Sequence, residues 1–456
     1  MNRVPTGIKA LDELLGGGFP EGATILISGA PGSGKTIMAQ QMMFHNAGPD
    51  FVALHLTTLG EPQIKVLRFQ QEFSFFDTER SQKYVISRDL GFDLQNGPDQ
   101  ALTAIDRLLK SHHPKLVVID TIRAIGDMIE SSTKYRQFLL DLSLRLATWG
   151  STGILIGEYT EEETNRQPEG ALADGIIYLS GTEDRRQQRR HMRIIKMRGT
   201  AYTGGEIFFR IGGDGIEAYP RLLPAVNTQT YRQFVERVPT GVQGLDPMLG
   251  GGLPVGTSIM VSGLPGSGKT ILALHVAYAA LNRGERVVHV SFEENPEQLL
   301  NGAASLGMDF RPYVASGAFT LEHMSLLELD VDSYVLELQQ SILKAKAQFL
   351  VIDSVSCFET SIGDERKYAD HVWGLVNLCK TIGVTAILTH EATNSGLGTE
   401  LSDVGISFIV DNVVHLRYAE ADGLVKRFLR VCKMRYTDHD MGVREFSITS
   451  RGMSVG

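Results

Sequence analysis

The chain has 456 residues, of which 43% are hydrophobic and 21% are charged, and its formal net charge is −9. This composition is ordinary for a soluble globular protein. The acidic balance argues against a general nucleic-acid binder, because neutralising phosphates requires a basic surface. The start of the chain has no apolar signal core, and no stretch reaches the ~18 apolar residues of a membrane span, so we expect a cytoplasmic protein without membrane contact.

One segment occurs twice along the chain. Residues 3–36 read RVPTGIKALDELLGGGFPEGATILISGAPGSGKT, and residues 237–270 read RVPTGVQGLDPMLGGGLPVGTSIMVSGLPGSGKT. Most aligned positions are identical without a gap, so the chain is predicted to contain two copies of one domain. Between the copies, PRLLPAVNTQTYRQF has two prolines and few residues of a buried type. We expect domains at 1–220 and 235–456, joined by a linker at 221–234.

Each half is predicted to alternate strands with helices. An apolar strand, ATILISG or TSIMVSG, leads into the first helix; then follow FVALHLT, KLVVID and TGILIGE in the first half, and RVVHVSF, QFLVID and VTAILTHE in the second. These runs are continuously apolar, as in parallel strands with both faces covered. Each half closes with strands joined by tight turns. The predicted fold is α/β, with a mainly parallel sheet flanked by helices in each half.

Both repeats end in the pattern G-x-x-x-x-G-K-[ST], which follows a strand and opens a helix. A glycine-rich turn lets backbone N–H groups point at phosphate oxygens, and the helix N-terminus favours the same negative charge. The pattern predicts ATP binding in both halves. The first loop is Gly29, Ala30, Pro31, Gly32, Ser33, Gly34, Lys35 and Thr36. The second loop is Gly263, Leu264, Pro265, Gly266, Ser267, Gly268, Lys269 and Thr270.

The side chains of these loops predict a metal-assisted phosphate site. Lys35 and Lys269 are expected to reach the β- and γ-phosphates. The hydroxyl that follows each lysine is expected to bind Mg²⁺, and the aspartate ending the KLVVID or QFLVID strand is expected to hold the metal through water. The predicted Mg²⁺ ligands are Thr36, Asp120, Thr270 and Asp353.

Hydrolysis needs more than phosphate binding, because a carboxylate must orient and deprotonate the attacking oxygen. The second half has Glu293 and Glu294 directly after its second strand, in SFEENPEQ. The first half reads TTLGEPQ there, with Leu59 and Gly60 opposite the two glutamates and Glu61 one position out of register. One position matters, because successive strand residues point to opposite faces.

We therefore predict a C-terminal site that hydrolyses ATP and an N-terminal site that binds ATP or hydrolyses it weakly. The alternative for the glutamate pair is an ordinary solvated turn.

Several motifs together resemble the KaiC family of tandem RecA-like ATPases. They are the doubled TG-x-x-x-LD-x-x-LGGG-x-P-x-G segment ending in GKT, the EE pair, the ID strand ends and the two K-M-R signatures. The resemblance runs from Arg3 to Gly452. It implies RecA-like domains and a homo-hexamer with ATP between neighbouring subunits. It also implies that a lysine and an arginine of each signature reach the neighbour's γ-phosphate; a solvated strand edge is the alternative. These residues are Lys196, Arg198, Lys433 and Arg435.

The resemblance also implies a serine/threonine autokinase in the C-terminal ring. Members of the family phosphorylate adjacent serine and threonine residues, and the alignment places Ser407 on the serine and Phe408 on the threonine. Glu293 would be the base for the Ser407 hydroxyl across the subunit interface. The alternative is that Ser407 is a small interface residue. By family analogy, the state of the protein would be read by a KaiB-like or other signalling partner.

Two departures from the family pattern predict a homologue outside the clock. The family's N-terminal ring normally carries the glutamate pair that this chain lacks. The chain also ends at Gly456, where the clock protein has a tail that binds the activator KaiA. A signalling or stress-linked role is expected instead.

Two other functions compete with this interpretation. One is a scaffold in which ATP only holds subunits together, which the Leu59 and Gly60 replacement favours for the N-terminal site. The other is a RecA-type DNA-dependent ATPase, for which the basic run EDRRQQRRHMR is the only local support. Because that run lies between two strand-like stretches, a solvated hairpin turn is the simpler explanation.

Overall fold

The computed structural model describes residues 2–58, 63–129, 131–184, 187–202, 204–219, 236–326, 329–392, 406–421 and 423–456. The chain forms two compact units, Met1–Arg221 and Leu222–Gly456, which we call the N-terminal and C-terminal units. The predicted linker 221–234 lies outside the described residues.

The N-terminal unit contains eleven strands and ten helices among its described residues. Its strands are β1 (Arg3–Val4), β2 (Phe19–Pro20), β3 (Thr24–Gly29), β4 (Ala53–Thr57), β5 (Val85–Asp89), β6 (Leu116–Asp120), β7 (Thr152–Glu158), β8 (Gly175–Asp184), β9 (Gln187–Met197), β10 (Glu206–Gly212) and β11 (Gly215–Tyr219). Its helices are α1 (Lys9–Leu14), α2 (Lys35–Asn46), α3 (Gln63–Gln70), α4 (Thr78–Lys83), α5 (Gly91–Gln95), α6 (Pro98–His112), α7 (Ile122–Met128), α8 (Ser132–Thr148), α9 (Glu161–Arg166) and α10 (Pro168–Leu172).

The C-terminal unit repeats this order with fewer short helices. Its strands are β12 (Arg237–Val238), β13 (Leu253–Pro254), β14 (Ser258–Gly263), β15 (Val287–Ser291), β16 (Phe319–His323), β17 (Phe349–Asp353), β18 (Thr385–Glu391), β19 (Asn412–Ala421), β20 (Leu424–Met434), β21 (Val443–Thr449) and β22 (Gly452–Val455). Its helices are α11 (Leu245–Met248), α12 (Lys269–Asn282), α13 (Pro296–Ser305), α14 (Arg311–Ser316), α15 (Val331–Ala345), α16 (Ser356–Ile362), α17 (Glu365–Ile382) and a 3₁₀ turn, Ile406–Phe408.

Each unit is built on one nine-stranded sheet. The order is β11-β10-β9-β8-β3-β7-β6-β4-β5 in the first and β22-β21-β20-β19-β14-β18-β17-β15-β16 in the second, so the two sheets correspond strand for strand. Along the first sheet, the strands from β5 across to β8 pair in parallel, as do those from β16 across to β19 in the second. The last three strands of each unit in chain order then pair antiparallel at one edge of the sheet. The predicted fold of tandem RecA-like α/β domains is confirmed.

The continuous apolar runs are strands buried on both faces. Every residue of β3 is buried, and neighbouring residues contribute to opposite layers: Ile25 and Ile27 pack in one cluster, whereas Leu26 packs in the other. In β14, Ile259 and Met260 divide in the same way. This alternation follows from the two-residue period of a strand. It explains why these strands contain no polar face.

Part of the repeated segment has a structural role. The hydroxyl and backbone N–H of Thr6 both donate to the Asp12 carboxylate, at 2.8 and 2.7 Å. Thr240 makes the same two hydrogen bonds to Asp246 in the C-terminal unit, at 2.6 and 2.9 Å. The TG-x-x-x-LD part of the repeat therefore fixes the turn that precedes the first short helix, away from the phosphate loop.

The basic run lies on the hairpin between β8 and β9, as the sequence predicts. Its turn, at residues 185–186, is outside the described part of the chain. No helix in the described ranges is both long and apolar enough to cross a bilayer.

Candidate functional site

The first glycine-rich loop connects the end of β3 to the start of α2. Gly34 precedes the first helical residue with φ 103°, and a Cβ at this position would lie 2.8 Å from Ile211 Cδ1. The left-handed backbone favours glycine at this position, and the end of the Ile211 side chain would have to shift to admit a Cβ. The first N–H groups of α2 have no partner inside the helix, and with the helix dipole they favour an anion at this point.

Lys35 is folded back over the loop that precedes it. Its Nζ donates to the carbonyls of Gly29 and Ala30, at 2.9 and 2.8 Å, and its side chain is buried. Burial lowers the pKa of Lys35, while the carboxylates of Glu158 and Asp120 oppose that shift. The loop thus holds an ammonium group at the place where a bound phosphate needs positive charge.

The Thr36 hydroxyl donates to Asp120 Oδ2 at 2.8 Å. Asp120 is the last residue of β6, so the carboxyl end of a buried strand holds this carboxylate beside the helix N-terminus. A hydroxyl and a carboxylate are the hard oxygen ligands that Mg²⁺ takes when it also binds substrate phosphates. These residues fit a magnesium–nucleotide complex.

The C-terminal unit repeats the geometry of the glycine-rich loop and its lysine. Gly268 precedes α12 with φ 107°, and a Cβ there would lie 3.0 Å from Ile448 Cδ1. Lys269 Nζ donates to the carbonyls of Gly263 and Leu264, at 3.0 and 3.1 Å. The two phosphate loops therefore have the same local geometry.

In the C-terminal unit, the paired glutamates face the phosphate loop. Glu293 and Glu294 line a cavity of about 470 Å³ together with Lys269, Thr270 and Asp353. The backbone N–H of Glu294 donates to the Ser291 hydroxyl at 3.1 Å, and a capping box on the following helix fixes the turn. The structure thus brings the paired glutamates and the predicted metal ligands of this unit into one cavity, whereas Lys433 and Arg435 are not among the described residues that line it.

The charges in this cavity interact. Desolvation at the cavity wall raises the pKa of Glu293, and the negative charges of Glu391 and Asp353 raise it further. The pKa of Glu294 is raised by desolvation and by Asp353. Burial lowers the pKa of Lys269, against the attraction of Glu391 and Asp353. A carboxylate with a raised pKa is a stronger base, which suits proton removal from an attacking oxygen.

The sequence analysis assigned no role to two further groups at this edge. Glu391 ends β18 and lines the cavity, and the Thr389 hydroxyl donates to Asp353 Oδ1 at 2.5 Å. The sequence could have indicated this contact, because β17 and β18 are parallel strands that both end in polar residues. Their carboxyl ends lie at the same edge of the sheet, which brings these residues together. In the N-terminal unit, the corresponding residue is Ile156, which pairs with β3 at the position where Thr389 pairs with β14.

The N-terminal unit has a corresponding cavity of about 580 Å³. Its lining includes Thr36, Asp120, Glu158, Glu72 and His55. Glu72, which follows α3, is a carboxylate that sequence reasoning did not connect with this site. His55 is buried, and burial lowers its pKa to about 4, so its imidazole is neutral near pH 7.

The strand pairing supports the alignment of the two units up to the glutamate pair. Thr58 and Phe292 each donate their N–H to the carbonyl of the strand-end aspartate, at 3.1 Å, so they occupy equivalent places. The next residues in the N-terminal unit, Leu59 and Gly60, together with Glu61, lie outside the described residues.

The K-M-R signature of the N-terminal unit lies where the parallel strands begin, at the opposite edge from the phosphate loop. Met197 pairs with Gly175, the first residue of β8. Lys196 Nζ donates to two carbonyls of α10, each at 3.3 Å, and Arg198 lies 3.3 Å from the Asp174 carboxylate. Neither Lys196 nor Arg198 is brought to the phosphate loop of its own unit.

The second signature has the same location in the C-terminal unit. Lys433 Nζ donates to the carbonyls of Ser407 and Val410, at 2.9 and 2.6 Å, and Arg435 Nη2 donates to the Phe408 carbonyl at 2.6 Å. Desolvation and the neighbouring Arg435 lower the pKa of Lys433 to about 8. The structure therefore groups both basic residues with Ser407 and separates all three from Lys269.

Comparison with known proteins identifies the family of the chain. A family model described as "ATPase: KaiC" matches residues 4–222 and again residues 238–456. The chain belongs to the KaiC family. It is therefore a tandem-domain member of an ATPase family, for which nucleotide binding follows from the family.

Curated relatives match this KaiC-family chain from end to end. The chain is 28% identical to the circadian clock oscillator protein KaiC of Picosynechococcus sp., across all of this chain and 90% of the relative. It is also 28% identical to KaiC of Acaryochloris marina and to KaiC 1 of Synechocystis sp., across all of this chain and 88% and 89% of the relatives.

Proposed function

We propose that the C-terminal site of this KaiC-family protein binds ATP with Mg²⁺ and hydrolyses it. The observation that carries the proposal is the shared cavity of Lys269, Thr270, Glu293, Glu294 and Asp353. It supplies a cation for the phosphates, oxygen ligands for the metal and carboxylates of raised pKa for the attacking oxygen.

The residues of this site would divide the chemistry as follows. The backbone N–H groups of the loop and Lys269 would hold the phosphates, and Thr270 and Asp353 would hold Mg²⁺, which offsets negative charge on the phosphate oxygens. Glu293, with Glu294 beside it, would orient a water molecule and accept its proton.

We propose that the N-terminal site binds ATP mainly to stabilise an assembly. The phosphate loop, Lys35, Thr36 and Asp120 have the geometry of a nucleotide site. The sequence has Leu59 and Gly60 where the other half has its two glutamates. A scaffold function is thus favoured for this unit. We propose that the two domains extend over residues 1–220 and 235–456.

The assembly that we propose is a homo-hexamer with nucleotide between neighbours. The K-M-R residues support this arrangement, because Lys196, Arg198, Lys433 and Arg435 lie at the edge opposite to their own phosphate loops. If they act on a nucleotide, that nucleotide belongs to another chain, where an arginine would stabilise charge on the γ-phosphate.

We further propose that the C-terminal ring phosphorylates Ser407 between subunits. Ser407 lies beside Lys433, whose Nζ donates to the Ser407 carbonyl, so an edge that presents Lys433 to a neighbour's γ-phosphate would also present the serine. The neighbour's Glu293 would accept the hydroxyl proton, Ser407 Oγ would bond to the γ-phosphorus, and ADP would leave. Phe408, which the alignment with the family puts at the second acceptor, is 63% exposed.

The added phosphate would change the local charge by about −1.5 to −2. We propose that this change, or the nucleotide state itself, alters the docking of a protein partner related to those of clock proteins.

The test is incubation with γ-labelled ATP and Mg²⁺, with label counted separately in free phosphate and in protein. Protein-bound label that disappears in Ser407→Ala, but not in the exposed-surface control Ser316→Ala, supports the autokinase. Free phosphate without protein-bound label would reject the autokinase and keep the ATPase. No label in either fraction would reject both.

A further inference from the structure

The N-terminal unit contains a second cavity, of about 350 Å³, beside the nucleotide cavity. It lies between α3, α4 and the strands β4 and β5, and we call it the basic cavity. Its polar lining includes His55, Gln70, Lys83, Arg88 and His112. Its volume is at the lower end of the range for small-molecule sites.

Two buried side chains in this cavity have nitrogen atoms without hydrogen-bond partners. Gln70 is 3% exposed, and its Nε2 has no partner. His55 is 1% exposed, and neither of its ring nitrogens has one. An unpaired buried donor is costly, so such groups are normally satisfied by protein, water or a ligand. Both residues line the basic cavity, where a ligand can accept from them.

The charge of the lining selects the kind of ligand. Lys83 and Arg88 are exposed at the rim, and no carboxylate is among the described residues that line the cavity. Lys83 forms an ion pair with Glu79 at 2.8 Å, but both side chains are largely exposed, so water screens this pair. In a chain of net charge −9, a cavity lined by donors and cations favours an anion.

In the C-terminal unit, the residues at the corresponding place differ in size and charge, although the corresponding histidine, His289, also has two ring nitrogens without hydrogen-bond partners. The parallel pairing of β5 with β4 and of β16 with β15 puts Phe319 in the place of Val85, and Glu322 in the place of Arg88. The Phe319 ring is buried, 5.9 Å from the ring of His289. A large apolar side chain there covers the histidine, and a carboxylate replaces the cation.

We propose that the basic cavity binds a phosphate oxyanion, either inorganic phosphate or a phosphate monoester. Gln70 and His55 would donate to its inner oxygens, and Lys83 and Arg88 would neutralise it at the rim. His55 also lines the N-terminal nucleotide cavity, so an anion bound here would contact a residue of the nucleotide site. The site does not depend on hydrolysis by either unit.

The test is equilibrium dialysis of the full chain with labelled inorganic phosphate, and in parallel with glycerol 3-phosphate. Both phosphate loops are first saturated with Mg²⁺ and a non-hydrolysable ATP analogue, so that they cannot take up the probe. We expect about one phosphate group bound per chain, and the tighter of the two probes identifies the source.

Val85→Phe copies the C-terminal unit and fills the cavity, so it should weaken binding about tenfold or more. Lys83→Gln with Arg88→Gln should also weaken it about tenfold. The matched control is Arg107→Gln with Lys110→Gln, which removes the same charge from the exposed face of α6.

Absence of binding to the wild-type chain would overturn the proposal, and so would equal losses in the control and the Lys83/Arg88 variant. If Val85→Phe does not fold, Gln70→Leu decides, because it removes a buried donor without adding volume. Unchanged binding in folded Gln70→Leu would also overturn the proposal.

Discussion

The two units have the same sheet and the same phosphate loop, but they differ in what surrounds the loop. Lys35 and Lys269 make matching hydrogen bonds to loop carbonyls. Around Lys269, however, Glu293 and Glu294 line the cavity, whereas the other half has Leu59 and Gly60 in sequence. The comparison shows that the geometry for binding phosphate is separable from the carboxylates proposed to cleave it.

The units also differ in a buried hydrogen-bond network. In the N-terminal unit, Tyr135 and Tyr159 both donate to the fully buried carboxylate of Glu169. Tyr368, the fourth residue of α17 as Tyr135 is of α8, is equally buried, but its hydroxyl has no partner. Burial and Glu169 raise the pKa of Tyr135, so it remains a donor throughout the physiological range.

The largest expected effect tests whether hydrolysis belongs to one unit. Glu293→Gln combined with Glu294→Gln should lower steady-state phosphate release about 10²–10⁴-fold, because the amides cannot accept the proton. The control is Glu297→Gln, an exposed glutamate in the first turn of α13, which should retain activity. Substantial release from the double variant would show that the N-terminal site is not nearly silent.

The next comparison replaces the lysine of each phosphate loop by alanine, one unit at a time. Lys35→Ala should lose the ATP-dependent assembly in static light scattering, because its site is proposed to stabilise that assembly. Lys269→Ala should keep the assembly and lose hydrolysis. A Lys35→Ala assembly of unchanged size and stability would contradict the proposed division.

The buried tyrosines provide a matched pair for stability. Tyr135→Phe leaves a buried carboxylate with one fewer donor and should lower the free energy of unfolding of its unit by about 1–3 kcal/mol. Tyr368→Phe should leave the free energy of unfolding unchanged or raise it, because it removes a buried hydroxyl that has no partner.

Each unit contains one of the two tryptophans, Trp149 and Trp373, so fluorescence can follow the units separately. Denaturant unfolding of each Tyr variant should therefore be measured with the tryptophan of the other unit replaced by Phe. Equal destabilisation of both units would contradict the prediction.

The smallest expected effect concerns pH. The raised pKa of Glu293 means that its carboxylate becomes protonated at a higher pH than an ordinary glutamate, so hydrolysis should fall as pH drops through that raised value. Glu391→Gln removes one of the charges that raise the pKa. It should shift the acid limb of the kcat profile to lower pH, by less than about one unit. A shift to higher pH would contradict the electrostatic explanation.

The parallel strands and both phosphate loops could be predicted from sequence, because continuous apolar runs and glycine spacing are local signals. Asp120 and Asp353 could be placed because each ends such a run. Contacts between distant strand ends could not be predicted from sequence. Thr389 contacts Asp353 because their strands are neighbours in the sheet, and Glu72, which follows a helix, lines the N-terminal cavity. The basic cavity depends on the size of Val85, which no motif marks.

The position of the second K-M-R signature has a kinetic consequence. The strand β14 has six residues and is about 17 Å long. Its first residue lies at the end of the sheet near Arg435, and its last residue leads into the loop that carries Lys269. A single chain cannot close that gap within one rigid sheet. If Arg435 serves the C-terminal site, turnover per chain will therefore fall on dilution below the assembly's dissociation constant, and total rate will rise more steeply than protein concentration in that range.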